Sequence, residues 1–162
     1  MQFLFMCLFS LGIVAADQLT KYLTVTHIPL YGKAPLLPGV VQLTYVQNTG
    51  AAWSILSGQQ WLFVLIFLVL TALLLWEYFK KPLPFTRLER WLLAAVYGGG
   101  LGNMIDRVRL GYVVDMIEVT FMNFAVFNVA DCFVVCGAIL LVIYAFFFDK
   151  PAKKEHKDDT AG

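Results

Sequence analysis

The segment WLFVLIFLVLTALLLWEYF, Trp61 to Phe79, holds one charge in nineteen residues. About 20 apolar residues in a helix cross the hydrocarbon core of a bilayer. In lipid, only a helix or a closed barrel can satisfy its own backbone hydrogen bonds. This run therefore predicts a helical membrane protein. Three other apolar stretches accompany it, and together they predict spans at about 3–22, 61–79, 91–105 and 124–148 in a single membrane-embedded domain, 1–150. The fold class expected is an all-α integral membrane protein of four transmembrane helices. Composition agrees: 60% of the 162 residues are hydrophobic and only 14% charged, more apolar surface than an interior of this size can hide. Residues 151–162 form a charged tail that opens on Pro151 and reads as disordered.

The first stretch has no Lys or Arg before its apolar run, and IVAADQ is a poor cleavage site, so an uncleaved span is expected. Orientation follows from basic residues in the loops. Lys80, Lys81, Arg87 and Arg90 lie between the second and third spans, and Lys150, Lys153, Lys154 and Lys157 follow the fourth. The other two loops share Lys21, Lys33, Arg107 and Arg109. Eight against four puts both termini in the cytoplasm and the loops 23–60 and 106–123 outside. In the first outer loop, LLPGVVQLTYVQNTGAAWSIL mixes β-branched and aromatic residues with Pro-Gly and Asn-Thr-Gly turn signals. A small extracytoplasmic β element is expected there.

The formal net charge of +1 argues against a nucleic-acid binder, which needs a basic face. Cys7, Cys132 and Cys136 sit in apolar runs without CxxC spacing, and His27 and His156 are far apart, so no metal site is expected.

Polar residues near the spans gather at the outer side. Asp17 and Lys21 are four apart on one helical face, and Asn103, Asp106 and Arg107 close the third span. Asp115 follows in GYVVDMIE, and Asn128 and Asp131 enter the fourth span three apart. Several have plain structural readings. Asp17–Lys21 reads as an interfacial pair, Asp106 with Arg107 or Arg109 as an end-of-helix charge group, and Asn48 as a turn residue. Gly98 and Gly102 make a small-xxx-small packing face. Asp115 and Asp131 resist such readings. Asp131 reads as a turn or two inside a span with no base at helical spacing, where a carboxylate costs roughly 2.5–3.5 kcal/mol. Two carboxyls at close range in low dielectric share a proton, one acting as base on water and the other as acid on a carbonyl. Spacing alone leaves that aspartic-protease reading beside a proton or cation pathway and a silent assembly factor.

Four blocks then narrow the choice: DQLTKY at 17–22, QNTGAAWSIL at 47–56, GGGLGNMIDRVRLGYVVDMIE at 98–118 and FNVADC at 127–132. In that order they resemble lipoprotein signal peptidase, the signal peptidase II family of bacterial membrane aspartic proteases. The resemblance implies a four-helix bundle with an outer β-cradle and a short outer helix, in the bacterial cytoplasmic membrane. It implies an endopeptidase that cuts the signal peptide from a prolipoprotein just before its diacylglyceryl-modified cysteine. It makes Asp115 and Asp131 the catalytic pair, with Asn48, Asn103, Arg107 and Asn128 lining the substrate path or holding the oxyanion. Asp17, Lys21 and Asp106 take a support role. No metal or organic cofactor is implied, a monomer suffices, and a lipopeptide inhibitor such as globomycin is expected at the pair. Two positions depart from the family pattern: Cys132 stands where Ser is usual, and Ala125-Val126 where Pro is common.

Overall fold

A computed structural model describes residues 1–50, 55–80 and 85–148; the tail at 151–162 and residues 51–54 of the second motif block lie outside the described residues. Among the described residues four helices form: α1 (Gln2–His27), α2 (Gln60–Lys80), α3 (Arg87–Leu110) and α4 (Val129–Phe147). Both α1 and α4 are long and apolar enough to cross a membrane, and α2 is apolar over Gln60–Trp76. Charges in α3 are confined to its two ends, Arg87–Arg90 and Asp106–Arg109, around an uncharged middle.

Helix α3 is the hub, packing on α1, α2 and α4. Its glycines allow this. A Cβ on Gly99 would stand 2.5 Å from the Ala130 carbonyl oxygen of α4, and one on Gly102 would stand 2.6 Å from Asp17 Oδ2 of α1. Only hydrogen fits at either place, so backbones approach closely as small-residue helix faces permit. The helix starts in a capping box: Glu89 N–H donates to Thr86 Oγ1, and Thr86 N–H donates to Glu89 Oε2 at 2.7 Å. It ends at Gly111, whose φ of 77° is the left-handed conformation glycine adopts without strain.

The β element is larger than expected. Strands β1 (Lys33–Leu37) and β2 (Val41–Asn48) fall in the predicted loop, but a third, β3 (Val113–Val119), comes from the following one. All pair antiparallel in the order β1-β2-β3. Ile28, Tyr45, Val114 and Met116 form a buried cluster that seats the sheet on the end of α1. Val113 and Asp115, on the opposite face of β3, are buried too. Burial on both faces removes the apolar–polar alternation that marks a half-exposed strand, which is why VVDMIEV did not read as one.

The fourth helix starts later than expected, at Val129 rather than 124. Phe127, two residues before it, bridges to the sheet instead. Ile117 N–H donates to the Phe127 carbonyl at 2.7 Å, and Phe127 N–H donates back at 3.1 Å. This exchange ties the entrance of α4 to β3, and the two segments that carry Asp115 and Asp131 become neighbours.

Candidate active site

Each of the two aspartates owes its place to a local rule. Asn48 pairs with Val113 across the β2–β3 ladder, which makes Asp115 its diagonal neighbour. Asn48 Nδ2 donates to Asp115 Oδ2 at 2.9 Å. Asp131 is the N3 residue of an Asn128 capping box. Asp131 N–H donates to Asn128 Oδ1 at 2.9 Å, and Asn128 N–H donates to Asp131 Oδ2 at 3.2 Å. Asp131 therefore lies in the first helical turn, not a turn or two inside the span. A carboxylate at N3 also faces the positive end of the helix.

Asn128 links the pair. Its Nδ2 donates to Asp115 Oδ1 at 2.7 Å and to Asn103 Oδ1 at 3.1 Å. Asn103 Nδ2 donates to Asp131 Oδ1 at 2.7 Å. The two carboxyls are thus bridged by amides. Asp115 is 2% exposed. Burial pushes its carboxyl up to about 7, and the nearby Asp131 charge adds to the rise. Donation from Asn48 and Asn128, and the charge of Lys21, work against it.

Below this lies a buried ion cluster. Lys21 Nζ is 2.8 Å from Asp17 Oδ2 and 2.9 Å from Asp106 Oδ2, with Lys21 3% exposed and Asp17 fully buried. The pair that read as interfacial is inside protein, and Asp106 is its third member rather than an end-of-helix group with the arginines. Gln18 completes the cluster, its Nε2 donating to Asp106 Oδ1 at 2.9 Å and to the Gly102 carbonyl at 3.2 Å. Gln18 went unnoticed in the sequence although it stands between the two singled-out residues of DQLTK.

Arg107 reaches the other way. Its Nη2 donates to the Gly50 carbonyl at 3.0 Å, and its guanidinium lies 4.7 Å from the Phe63 ring centroid. An open groove of about 240 Å³ runs between α2, α3 and α4, lined by Phe63, Ile66, Phe67, Leu70, Gly100, Asn103, Met104, Arg107, Asp131 and Val134. Asp131, not Asp115, faces it. The apolar wall from α2 was missed because its residues are indistinguishable in sequence from any lipid-facing helix side. Asn48, Asn103, Arg107, Asn128, Asp115 and Asp131 thus form one site. Asp17, Lys21 and Asp106 underlie it, with Gly102 against Asp17 and Gly98 packing against Ser10 of α1.

Comparison with known proteins gives a consistent picture. The family described as signal peptidase (SPase) II matches residues 9–147. A lipoprotein signal peptidase from one Streptococcus pyogenes serotype is 48% identical over 132 residues, covering 81% of this chain and 86% of the relative. One from a second serotype matches equally well, at 48% over the same coverage. Two solved structures, each described as a bacterial membrane enzyme, superpose with TM-scores of 0.79 and 0.78 at 32% and 31% identity. The first covers 93% of this chain and 92% of its own, the second 90% and 94%. This chain belongs to the signal peptidase II family.

Proposed function

We propose that Asp115 and Asp131 are the catalytic dyad of this signal peptidase, with the acid and base roles divided between them. As a family member the chain is an aspartic endopeptidase that removes signal peptides from prolipoproteins. The observation that carries the division is the difference in surroundings. Asp115 is sealed under the sheet and pushed up to about 7 by burial, while Asp131 lines the open groove. Asp131 takes a proton from a water in the groove, and that water attacks the carbonyl carbon of the scissile bond. Asp115 supplies its proton to the carbonyl oxygen, so charge does not accumulate there. As the C–N bond breaks, the proton on Asp131 passes to the leaving nitrogen and a hydroxyl proton of the adduct returns to Asp115, which restores both starting states.

Substrate placement follows from the groove. Its phenylalanine and aliphatic wall suits the acyl chains of a diacylglyceryl-modified cysteine, with the bond before that cysteine beside Asp131. Arg107 and Asn48 hold the substrate backbone at the rim, supported by their contacts to Gly50. A lipopeptide such as globomycin fits the same path. Four spans, both termini in the cytoplasm and the sheet on the outer face of a bacterial cytoplasmic membrane complete the reading, with residues 1–150 acting as one monomeric domain.

The test is cleavage of a diacylglyceryl-modified prolipoprotein in detergent. Folded Asp115→Asn and Asp131→Asn each lose roughly 100- to 10,000-fold in turnover, the usual worth of a positioned acid or base. Near-native turnover by either variant rejects the dyad.

A further inference from the structure

Asp17, Lys21 and Asp106 have no part in the chemistry above, yet each is fastened to it. Ala130 N–H, one residue before Asp131, donates to Asp17 Oδ1 at 3.0 Å. Val114 N–H, one residue before Asp115, donates to Asp106 Oδ2 at 3.1 Å. The Lys21 ammonium lies between those two carboxylates, 2.8 and 2.9 Å from Asp17 and Asp106. Three helices and a strand thereby meet at one cation, and the backbones leading into both aspartates are fixed relative to it.

The third partner of Lys21 adds a direction. Its Nζ donates to Asn103 Oδ1 at 2.9 Å. An ammonium has three donors and no acceptor, and all three are used here. An amide side chain fits its pocket equally well turned either way, but only its oxygen can face an ammonium. Lys21 therefore forces Asn103 Nδ2 toward Asp131 Oδ1, which it reaches at 2.7 Å. The same Asn103 oxygen accepts from Asn128 Nδ2, which in turn points its other hydrogen at Asp115 Oδ1.

We infer that Lys21 is a positioning residue of the peptidase: through Asp17, Asp106 and Asn103 it sets the separation of the two aspartates and the direction of the amides between them. The inference rests on the dyad reading. A buried ion cluster that only holds helices together is the alternative, and the two differ in how Lys21 couples to Asn103.

The test is a double-mutant cycle on the full chain in detergent, with a diacylglyceryl-modified prolipoprotein as substrate and turnover normalised to folded protein. Lys21→Met loses about 100-fold in kcat at near-native KM, the scale on which a misplaced group about 1 Å out of line acts. In an Asn103→Ala background the same substitution costs about tenfold less, since the route through the amide is already gone and only the one through Asp17 and Asp106 remains. Equal losses in both backgrounds, or near-native kcat for Lys21→Met, overturn the inference. If Lys21→Met does not fold, the pair Asp17→Asn/Lys21→Met replaces it throughout. That pair preserves the net charge of the cluster and an oxygen acceptor for Ala130, and the same outcomes decide. Activity in the native chain that Asp115→Asn abolishes keeps the dyad reading standing whatever the cycle gives. An inert native chain overturns that reading, and this inference with it.

Discussion

Asp115 carries its proton in the fold up to about 7, against an ordinary carboxylate value of 3.8. The folded chain therefore binds one more proton than the unfolded chain between those values. The stability linked to this group is fully present below about 4 and is lost as pH rises through about 7. Thermal unfolding in detergent should show it: Asp115→Asn loses less stability over that window than the native chain. Catalysis reads the same group. With Asp115 as the acid, kcat/KM falls on the alkaline side as its proton leaves. Asn48 donates to Asp115 and favours the carboxylate, so Asn48→Ala moves that alkaline limb upward. A limb that stays in place, or moves down, rejects Asp115 as the acid.

The same amides and glycines act differently one level up, where helix ends and crossings decide geometry. Thr86 and Glu89 close the start of α3 at the end away from the aspartates. Thr86→Ala should cost about 1 kcal/mol of stability, the usual value of a lost N-cap, and leave kcat unchanged. Gly102→Ala should behave oppositely. Its Cβ would meet Asp17 Oδ2 at 2.6 Å, so overpacking costs about 1–3 kcal/mol and kcat falls as Asp17 is pushed from Ala130 N–H. Gly12→Ala on α1, where a Cβ meets nothing within 4 Å, is the control and keeps native turnover. Much of this was legible in the chain. The four motif blocks pick out the aspartates and the asparagines that bridge them, and the apolar runs locate the helices. The start of α4 was missed because the apolar run continues through Phe124–Phe127, although Asn128-x-x-Asp131 is a capping pattern that marks the boundary. Strand β3 was missed because both its faces are buried. The link from Lys21 to Asp106 could not be read at all, since the two are far apart in sequence and periodicity speaks only within one helix.

For the molecule as a whole, the sheet and the start of α3 mark opposite sides of the membrane. The basic residues, eight against four, argue for an outer sheet. The chemistry argues independently. The sheet seals Asp115 and ties α4 through Phe127, so the two aspartates and the sheet lie at the same end of the bundle. The α3 cap at Thr86 marks the opposite end, because α3 runs from Thr86 to Gly111 and Gly111 leads directly into β3. One helix thus supplies both reference points. In a chain with Cys7, Cys132 and Cys136 replaced by Ala, Leu36→Cys and Met122→Cys report the sheet end, both native residues being exposed there. Arg87→Cys reports the cap end. Intact cells treated with a membrane-impermeant maleimide should label the first two, and Arg87→Cys only after permeabilisation. The reverse pattern would put the two aspartates on the cytoplasmic side, where a secreted substrate's cleavage site would have to be reached before export. Labelling of all three in intact cells would mean that α3 does not cross, and the four-span bundle would have to be abandoned. The outer pattern alone fits a peptidase that waits where the lipidated cysteine of an exported prolipoprotein emerges.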